Sequence, residues 1–209
     1  MPMIDNNRKD KLFKIASEQK GYFTAKQAFQ SGYSYRLHHY HKKQGSWLEI
    51  DRGVYRLANY STSPDEDFVR WSLWSHNREG FPQAIISHET ALSLHEMSDV
   101  MPARIHLTIP TTFRKKPEGG CIVHKGKIPD KDIEKREGFY ITTPIRTIID
   151  VAEGNLSMDE LEKAVRDGIR KGYFAPMVFK DETIPINARR KISKILSIIQ
   201  GESSSAGRV

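Results

Sequence analysis

A capping-box spacing at Thr24 and Gln27, helix-stopping glycines at Gly32 and Gly45, and a short hairpin pattern closing on Gly53 predict an α+β protein. The order of these signals predicts a winged helix-turn-helix domain over residues 1–58. A linker over 59–65 and a second α+β domain with a small mixed sheet over 66–200 follow, ending in a disordered tail over 201–209.

The first domain reads in order. Lys9 to Gln19 has the spacing of an amphipathic helix, with Leu12, Phe13, Ile15 and Ala16 expected to face inward. A short strand is expected just before Thr24, which starts a helix that Gly32 ends. Ser34 can cap a second helix, stopped by Gly45, whose exposed side chains are expected to be Tyr35, Arg36, His38, His39, Lys42 and Lys43. Trp47–Ile50 and Val54–Leu57 are short strands, and Asp51-Arg52-Gly53 joins them with glycine where a positive φ is expected. A helix of this kind fits the major groove of DNA, where one face meets base edges and phosphates.

Charge is distributed to match. Residues 1–58 hold eleven Lys and Arg against five acidic residues, whereas the rest of the chain holds 22 against 21. The excess therefore sits on the helix-turn-helix, where it attracts phosphate and makes binding salt-dependent. A charge run by itself is most simply a solvated helix face, but here charge and element order coincide. Arg36 and His39 are the expected base contacts, and Tyr35, Lys42 and Lys43 the expected phosphate contacts. Arg52 reaches the backbone or minor groove, while Lys26, Gln27, Ser34 and His38 complete the expected DNA-binding set. Double-stranded DNA is the implied partner, read as paired half-sites, with no cofactor required.

The segment Asn59–Asp65 is polar and contains a proline, as a linker would. Glu66 to Asn77 is expected to be a helix carrying Phe68, Trp71, Leu73 and Trp74 that bridges the domains. The second domain then alternates. Strands are expected at 84–86, 104–109, 121–124 and 139–141, and a helix at 88–95 that Ser87 can cap. Thr143-Pro144 opens a helix whose Ile145, Ile148, Ile149 and Ala152 recur at helical spacing. Ser157 and Glu160 form a second capping box ahead of Leu161, Ala164, Val165 and Ile169, and Gly172 ends that helix. A last helix is expected over 188–199.

Composition sets outer bounds. At 209 residues with 38% hydrophobic and 28% charged content, the chain is ordinary globular material. No apolar run approaches the ~20 residues of a membrane span, and the polar start MPMIDNNRKDK lacks the apolar core of a secretory signal. Cys121 is the single cysteine, so neither an intramolecular disulfide nor a cysteine-based zinc site is available, and a reducing cytoplasm is expected.

The strings GYFTAKQAFQSGYS and GSWLEIDRGVYRL resemble the N-terminal domain of the AbiEi antitoxins of abortive-infection toxin–antitoxin systems. SHETALSLHEMSD, RIHLTIP, YITTPIRTIIDVAEG and DELEKAVRDGIRKG extend the resemblance over roughly residues 10–173. The resemblance implies a bacterial repressor of its own operon, with a second domain that neutralises a cognate nucleotidyltransferase toxin in phage defence. That role rests on likeness, not on composition or spacing. A stand-alone winged-helix regulator, whose second domain binds another protein or a ligand, stays open beside it.

Catalytic readings of the second domain are weaker. His88-Glu89 begins like H-E-x-x-H, but Leu92 stands where the second histidine must be, and His95 lies seven residues from His88. Arg146 and Asp150 at i, i+4 read as a structural ion pair, in the less favourable order for a helix, so a tertiary partner is expected. Asp130, Asp132 and Glu134 resemble a carboxylate cluster without the E-x-K of a nuclease. No catalytic residue, metal ligand or phosphate loop is therefore assigned, and a nucleic-acid enzyme is the least supported alternative. Thr111 to Lys127 is a second basic segment, either a further DNA contact, a toxin-facing surface or a solvated loop.

Overall fold

The structure is a computed structural model that describes residues 3–117 and 119–206. It divides into two compact units, one running to Ala84 and including Lys135–Tyr140, the other comprising Ile85–Glu134 and the chain from Ile141 onward. The expected linker at 59–65 and the expected bridging helix both fall inside the first unit.

The first unit is a winged helix-turn-helix. Helix α1 (Met3–Ser17), strand β1 (Tyr22–Thr24), helices α2 (Ala25–Gln30) and α3 (Tyr35–Lys43), and strands β2 (Trp47–Asp51) and β3 (Val54–Leu57) follow in order. Helix α4 (Glu66–Trp74) completes it. Helix α1 starts earlier than the apolar spacing predicts, because its first turns are polar and carry no apolar stripe. Its buried face is Leu12 and Ala16, one turn apart. Phe13, expected inside, is 55% exposed because it lies about 100° round the helix from Leu12.

The three strands form an antiparallel sheet in the order β1-β3-β2. A register shift between Glu49 and Asp51 bends the hairpin just before its turn, and Gly53 there has φ of +76°. Leu12, Ala16, Phe23, Ala28, Tyr33, Trp47 and Tyr55 make the core. Two further anchors tie the wing and the following helix within this unit. Asp51 takes a forked pair from Arg70 of α4, Nε at 2.6 Å and Nη2 at 3.2 Å. Arg56, buried in β3, donates to Tyr60 O at 2.9 Å and to Glu66 at 3.2 Å.

The second unit is α+β. Its sheet has five strands in the order β6-β5-β4-β8-β7, from β4 (Ile85–Ile86), β5 (Ile105–Ile109), β6 (Cys121–Lys125), β7 (Ile133–Lys135) and β8 (Tyr140–Thr142). It is mixed, with β4 antiparallel to β5, while β4–β8 and β5–β6 are parallel. The sequence pattern did not reveal β7, only three residues, Ile133-Glu134-Lys135, in a lysine-rich stretch. Helices α5 (His88–Leu94), α6 (Pro144–Glu153), α7 (Met158–Arg170) and α8 (Ile186–Ala206) supply the apolar core, with Leu92, Ile148, Val151, Leu161, Val165 and Ile192 fully enclosed. Thr143 caps α6 and Ser157 caps α7, each accepting from the backbone three residues on. Ser87 precedes α5 but makes no side-chain cap. Cys121 is buried, as a small apolar residue would be. The tail expected to be disordered over 201–209 instead continues α8 through Ala206, and 207–209 lie outside the described residues.

Gly21 tests the packing of the first unit. Its φ is +88°, and a Cβ added there would lie 2.6–2.7 Å from the Tyr60 ring. Gly21→Ala is expected to lower the urea midpoint of unfolding, by at least the ~1–3 kcal/mol that a non-glycine residue in this conformation costs.

Candidate nucleic-acid interface

The helix-turn-helix is positioned from its first cap. Gln27 N donates to Thr24 Oγ1 at 3.2 Å, and Thr24 N donates to Gln27 Oε1 at 2.8 Å, a complete capping box. Gln27 also donates to Gln19 Oε1 at 2.8 Å. The Gln27 side chain, read from sequence as a DNA contact, is thus engaged in starting α2 and in holding it to the turn that follows α1.

Helix α3 is oriented by aromatic packing. Trp47 is 4% exposed and contacts the rings of Phe23, Tyr33, His38, His41 and Tyr55 at centroid distances of 4.7–5.9 Å. His38 therefore points inward, correcting the expectation that it is exposed and faces DNA. It is 3% exposed, and its Nε2 lies 3.0 Å from the Tyr33 carbonyl, so Nε2 carries the hydrogen. Burial pushes its pKa down, partly offset by that hydrogen bond, so the ring is neutral at neutral pH.

With His38 inside, the outward face of α3 is set. Tyr35, Arg36, His39, Tyr40 and Lys43 are exposed and recur at helical spacing. Ser34 precedes them with extended backbone but, unlike the cap expected from sequence, makes no side-chain cap bond. Arg52 is exposed at the hairpin turn, beside Gly53. Lys42 is paired with Glu49 of β2, a bond that raises the Lys42 pKa. Lys26 is exposed on α2 and donates to the carbonyls of Arg78 and Glu79 at 2.9 and 3.0 Å.

The residues expected from sequence therefore separate. Arg36, His39 and Lys43 share one exposed face with Tyr35, and Arg52 stands on the wing. His38 and Gln27 serve the fold. Arg56, one of the eleven cations of this region, is buried against Tyr60 and Glu66 and contributes no surface charge.

Two exposed aromatic residues of the helix-turn-helix were not read from sequence. Phe29 is 54% and Tyr40 55% exposed, and Phe29 stacks on Tyr35. The available signal was that buried Ala28 defines the inner face of α2, which turns Phe29 away from it.

The second unit gathers polar residues that the sequence scattered. Helix α5 opens on His88, whose φ of +53° is unusual for a residue with a side chain. Its ring stacks on His124 at 3.5 Å, and its Nδ1 lies 2.9 Å from Ser87 Oγ, which accepts from Thr108 Oγ1 at 2.8 Å. His106 Nδ1 lies 2.7 Å from Glu89 Oε2 and 3.1 Å from His124 Nε2. Burial, reinforced by His124, holds the His88 pKa near 3, and burial lowers that of His124. The hydrogen bond from His106 keeps Glu89 low and ionised. The assembly sets one carboxylate beside a group of three imidazoles. Among the described residues no group of three or more His, Cys, Asp or Glu is arranged to hold a metal ion. His106 and His124 escaped the sequence reading because the parallel pairing of β5 and β6 brings them together.

Arg146 has the tertiary partner its helix order predicted. Its Nε donates to Asp150 at 2.8 Å, and its Nη1 lies 4.0 Å from Asp132 of the turn before β7. The carboxylates of the 130–134 stretch are thus used in part to place α6. In the basic segment 111–127, Phe113 is buried and Lys125 donates to its carbonyl at 2.5 Å, so this end of the segment is packed rather than fully solvated.

Comparison with known proteins bears on both units. Residues 10–58 match the family described as transcriptional regulator, AbiEi antitoxin, and residues 84–170 match the AbiEi antitoxin C-terminal domain. The chain belongs to the AbiEi antitoxin family. The first match spans the winged helix-turn-helix, and the second begins where the second compact unit begins. No match was found among curated proteins. The crystal structure of the Rv2827c protein from Mycobacterium tuberculosis is similar, with a TM-score of 0.56 at 12% identity over 94% of this chain and 77% of that one. At that identity the likeness concerns the fold. Among the described residues no helix is long and apolar enough to cross a membrane.

Asp150 gives this AbiEi chain a pH signature. Burial, opposed by Arg146, raises its pKa to about 6. Between pH ~4 and ~6 the folded chain holds a proton that the unfolded chain has released, so stability falls as pH rises through this window. The full decline is on the order of 3 kcal/mol. Asp150→Asn is expected to flatten it, measured as denaturant midpoints across the pH range.

Proposed function

We propose that this AbiEi antitoxin binds the DNA upstream of its own operon and represses it by occupying the promoter. The observation that carries the reading is the exposed face of α3, where Arg36, His39 and Lys43 stand beside Tyr35 in a domain of the transcriptional-regulator family. Arg36 and His39 present donors suited to purine acceptors in the major groove. Lys43, with Arg52 on the wing, meets phosphates. Ser34 flanks this face and contacts the backbone, and Lys26 joins it on exchanging the Arg78 and Glu79 carbonyls for phosphate. Paired half-sites, each taken by one copy, suit such a domain. No cofactor is needed, because occupancy alone represses, and the protein works in the cytoplasm by binding rather than by catalysis.

The second unit carries the antitoxin role. We infer that it neutralises a nucleotidyltransferase toxin encoded beside it, a reading supported by the family of residues 84–170. Co-expression with the adjacent toxin gene is expected to restore growth, and to fail when residues beyond Ala84 are removed. Growth arrest that persists with the full chain would leave a stand-alone regulator.

The DNA reading is tested by binding of the purified protein to its own upstream DNA and to unrelated DNA over a salt series. Preference for its own DNA at physiological salt is expected. Arg36→Ala is expected to relax sequence preference at a cost of ~1–3 kcal/mol. Lys43→Ala is expected to weaken all DNA alike and reduce the salt slope by about one. Equal affinity for both DNAs would remove the repressor reading.

A further inference from the structure

Phe29 and Tyr35 stack on each other across the turn of the helix-turn-helix, with ring centroids 5.4 Å apart and planes 19° from parallel. Both are largely exposed, Phe29 at 54% and Tyr35 at 65%. Isolated exposed aromatics are ordinary on protein surfaces. A stacked pair is different, because its two rings present one continuous apolar surface and hold each other in place.

The surroundings make the pair specific. Tyr35 is the first residue of α3, whose N-terminal end is the part of a recognition helix that contacts base edges. Its ring also meets His38 edge-on at 5.1 Å, and His38 is fixed by the Tyr33 carbonyl and the Trp47 ring. The Tyr35 ring is thus held between Phe29 and His38. Arg36 is the next residue, and His39 lies one turn further along the same helix. An apolar step therefore sits beside the donors of the interface.

Among the base edges of the major groove, the apolar group is the 5-methyl of thymine. We propose that the Phe29–Tyr35 pair is a thymine-methyl subsite, which reads one or more thymines next to the base contacted by Arg36. The inference deepens the DNA-binding reading given above and rests on it. Arg36 then selects a purine by its acceptors while the ring pair selects its neighbour by a methyl group. His38 acts as a positioning residue, through Tyr35, without touching DNA.

The test uses the full chain and a duplex of its own upstream DNA made in two forms, with thymine or with uracil throughout. Uracil keeps every hydrogen-bonding group and removes only the methyl. The wild-type protein is expected to bind the thymine form more tightly by roughly fourfold for each thymine contacted, the ratio that burial of one methyl group gives. Phe29→Ala and Tyr35→Ser, each at an exposed position and checked by circular dichroism, are expected to bind the two forms with more nearly equal affinity. Phe29→Leu, which keeps an apolar surface, is expected to retain part of the preference. If the wild type prefers its own upstream DNA but binds its thymine and uracil forms equally, the subsite is overturned and the repressor reading stands. A thymine preference that persists undiminished in both variants also overturns it. If the wild type does not prefer its own upstream DNA at all, the repressor reading fails first and the subsite with it.

Discussion

Trp47 is the residue on which the first unit turns. It begins β2, so it belongs to the wing, yet its ring is packed against His38 and His41 of α3. Each such ring contact contributes on the order of 0.5–1.5 kcal/mol beyond burial itself. Together they fix the rotation of α3 about its own axis. A turn of one residue, about 100°, would carry His38 toward the surface and His39 inward. The chemistry offered to a partner is thus decided from the inside of the domain, by the aromatic contact that unites helix and wing.

The same packing sorts the basic residues. A cation near the core must find a carboxylate or carbonyls, since burying an unpaired charge is costly. Arg56 meets Tyr60 and Glu66, and Arg70 forks onto Asp51, whose pairing holds the turn end of the hairpin. Lys42 is half-exposed and is taken by Glu49. Arg36, Lys43 and Arg52 are exposed, and they lie on the helix and wing that a duplex would meet. A net charge computed over residues 1–58 sums these two populations, so it locates the basic domain but overstates its interface.

The second unit obeys a different constraint. Its helical core is apolar, with Leu92, Ile148, Leu161 and Val165 at essentially no exposure. One group of its polar residues is collected where α5, β5 and β6 meet, in the contacts of His88, Glu89, His106 and His124. The left-handed backbone at His88 is retained there at the first residue of α5, where the chain enters the helix and the imidazole meets Ser87 and His124. Burial disfavours charge on His88 and His124, while the contact with His106 favours the ionised form of Glu89.

The sequence by itself determined which local structures form, because caps, glycine stops and apolar spacing act between near neighbours. Thr24 with Gln27, Thr143 with Pro144 and Ser157 with Glu160 each place a helix start within a residue or two. A period of two over 104–109 and short apolar runs elsewhere placed four of the five strands of the second sheet, and missed β7, whose three residues carry no such signature. The likeness to AbiEi antitoxins was legible because the family's strings lie on these same elements. Only the tertiary structure decided which way side chains of equal polarity face. His38 and His39 are identical and adjacent, yet one is buried against Trp47 and the other exposed. Phe29 and Phe23 are both aromatic, yet one is half in solvent and the other fully enclosed. Helix rotation and strand pairing are set by contacts between residues far apart in the chain, and one sequence read alone carries spacing but not those contacts. That is why the helix-turn-helix could be placed from residues 21–57, while the Phe29–Tyr35 stack and the histidine cluster appear only in the fold.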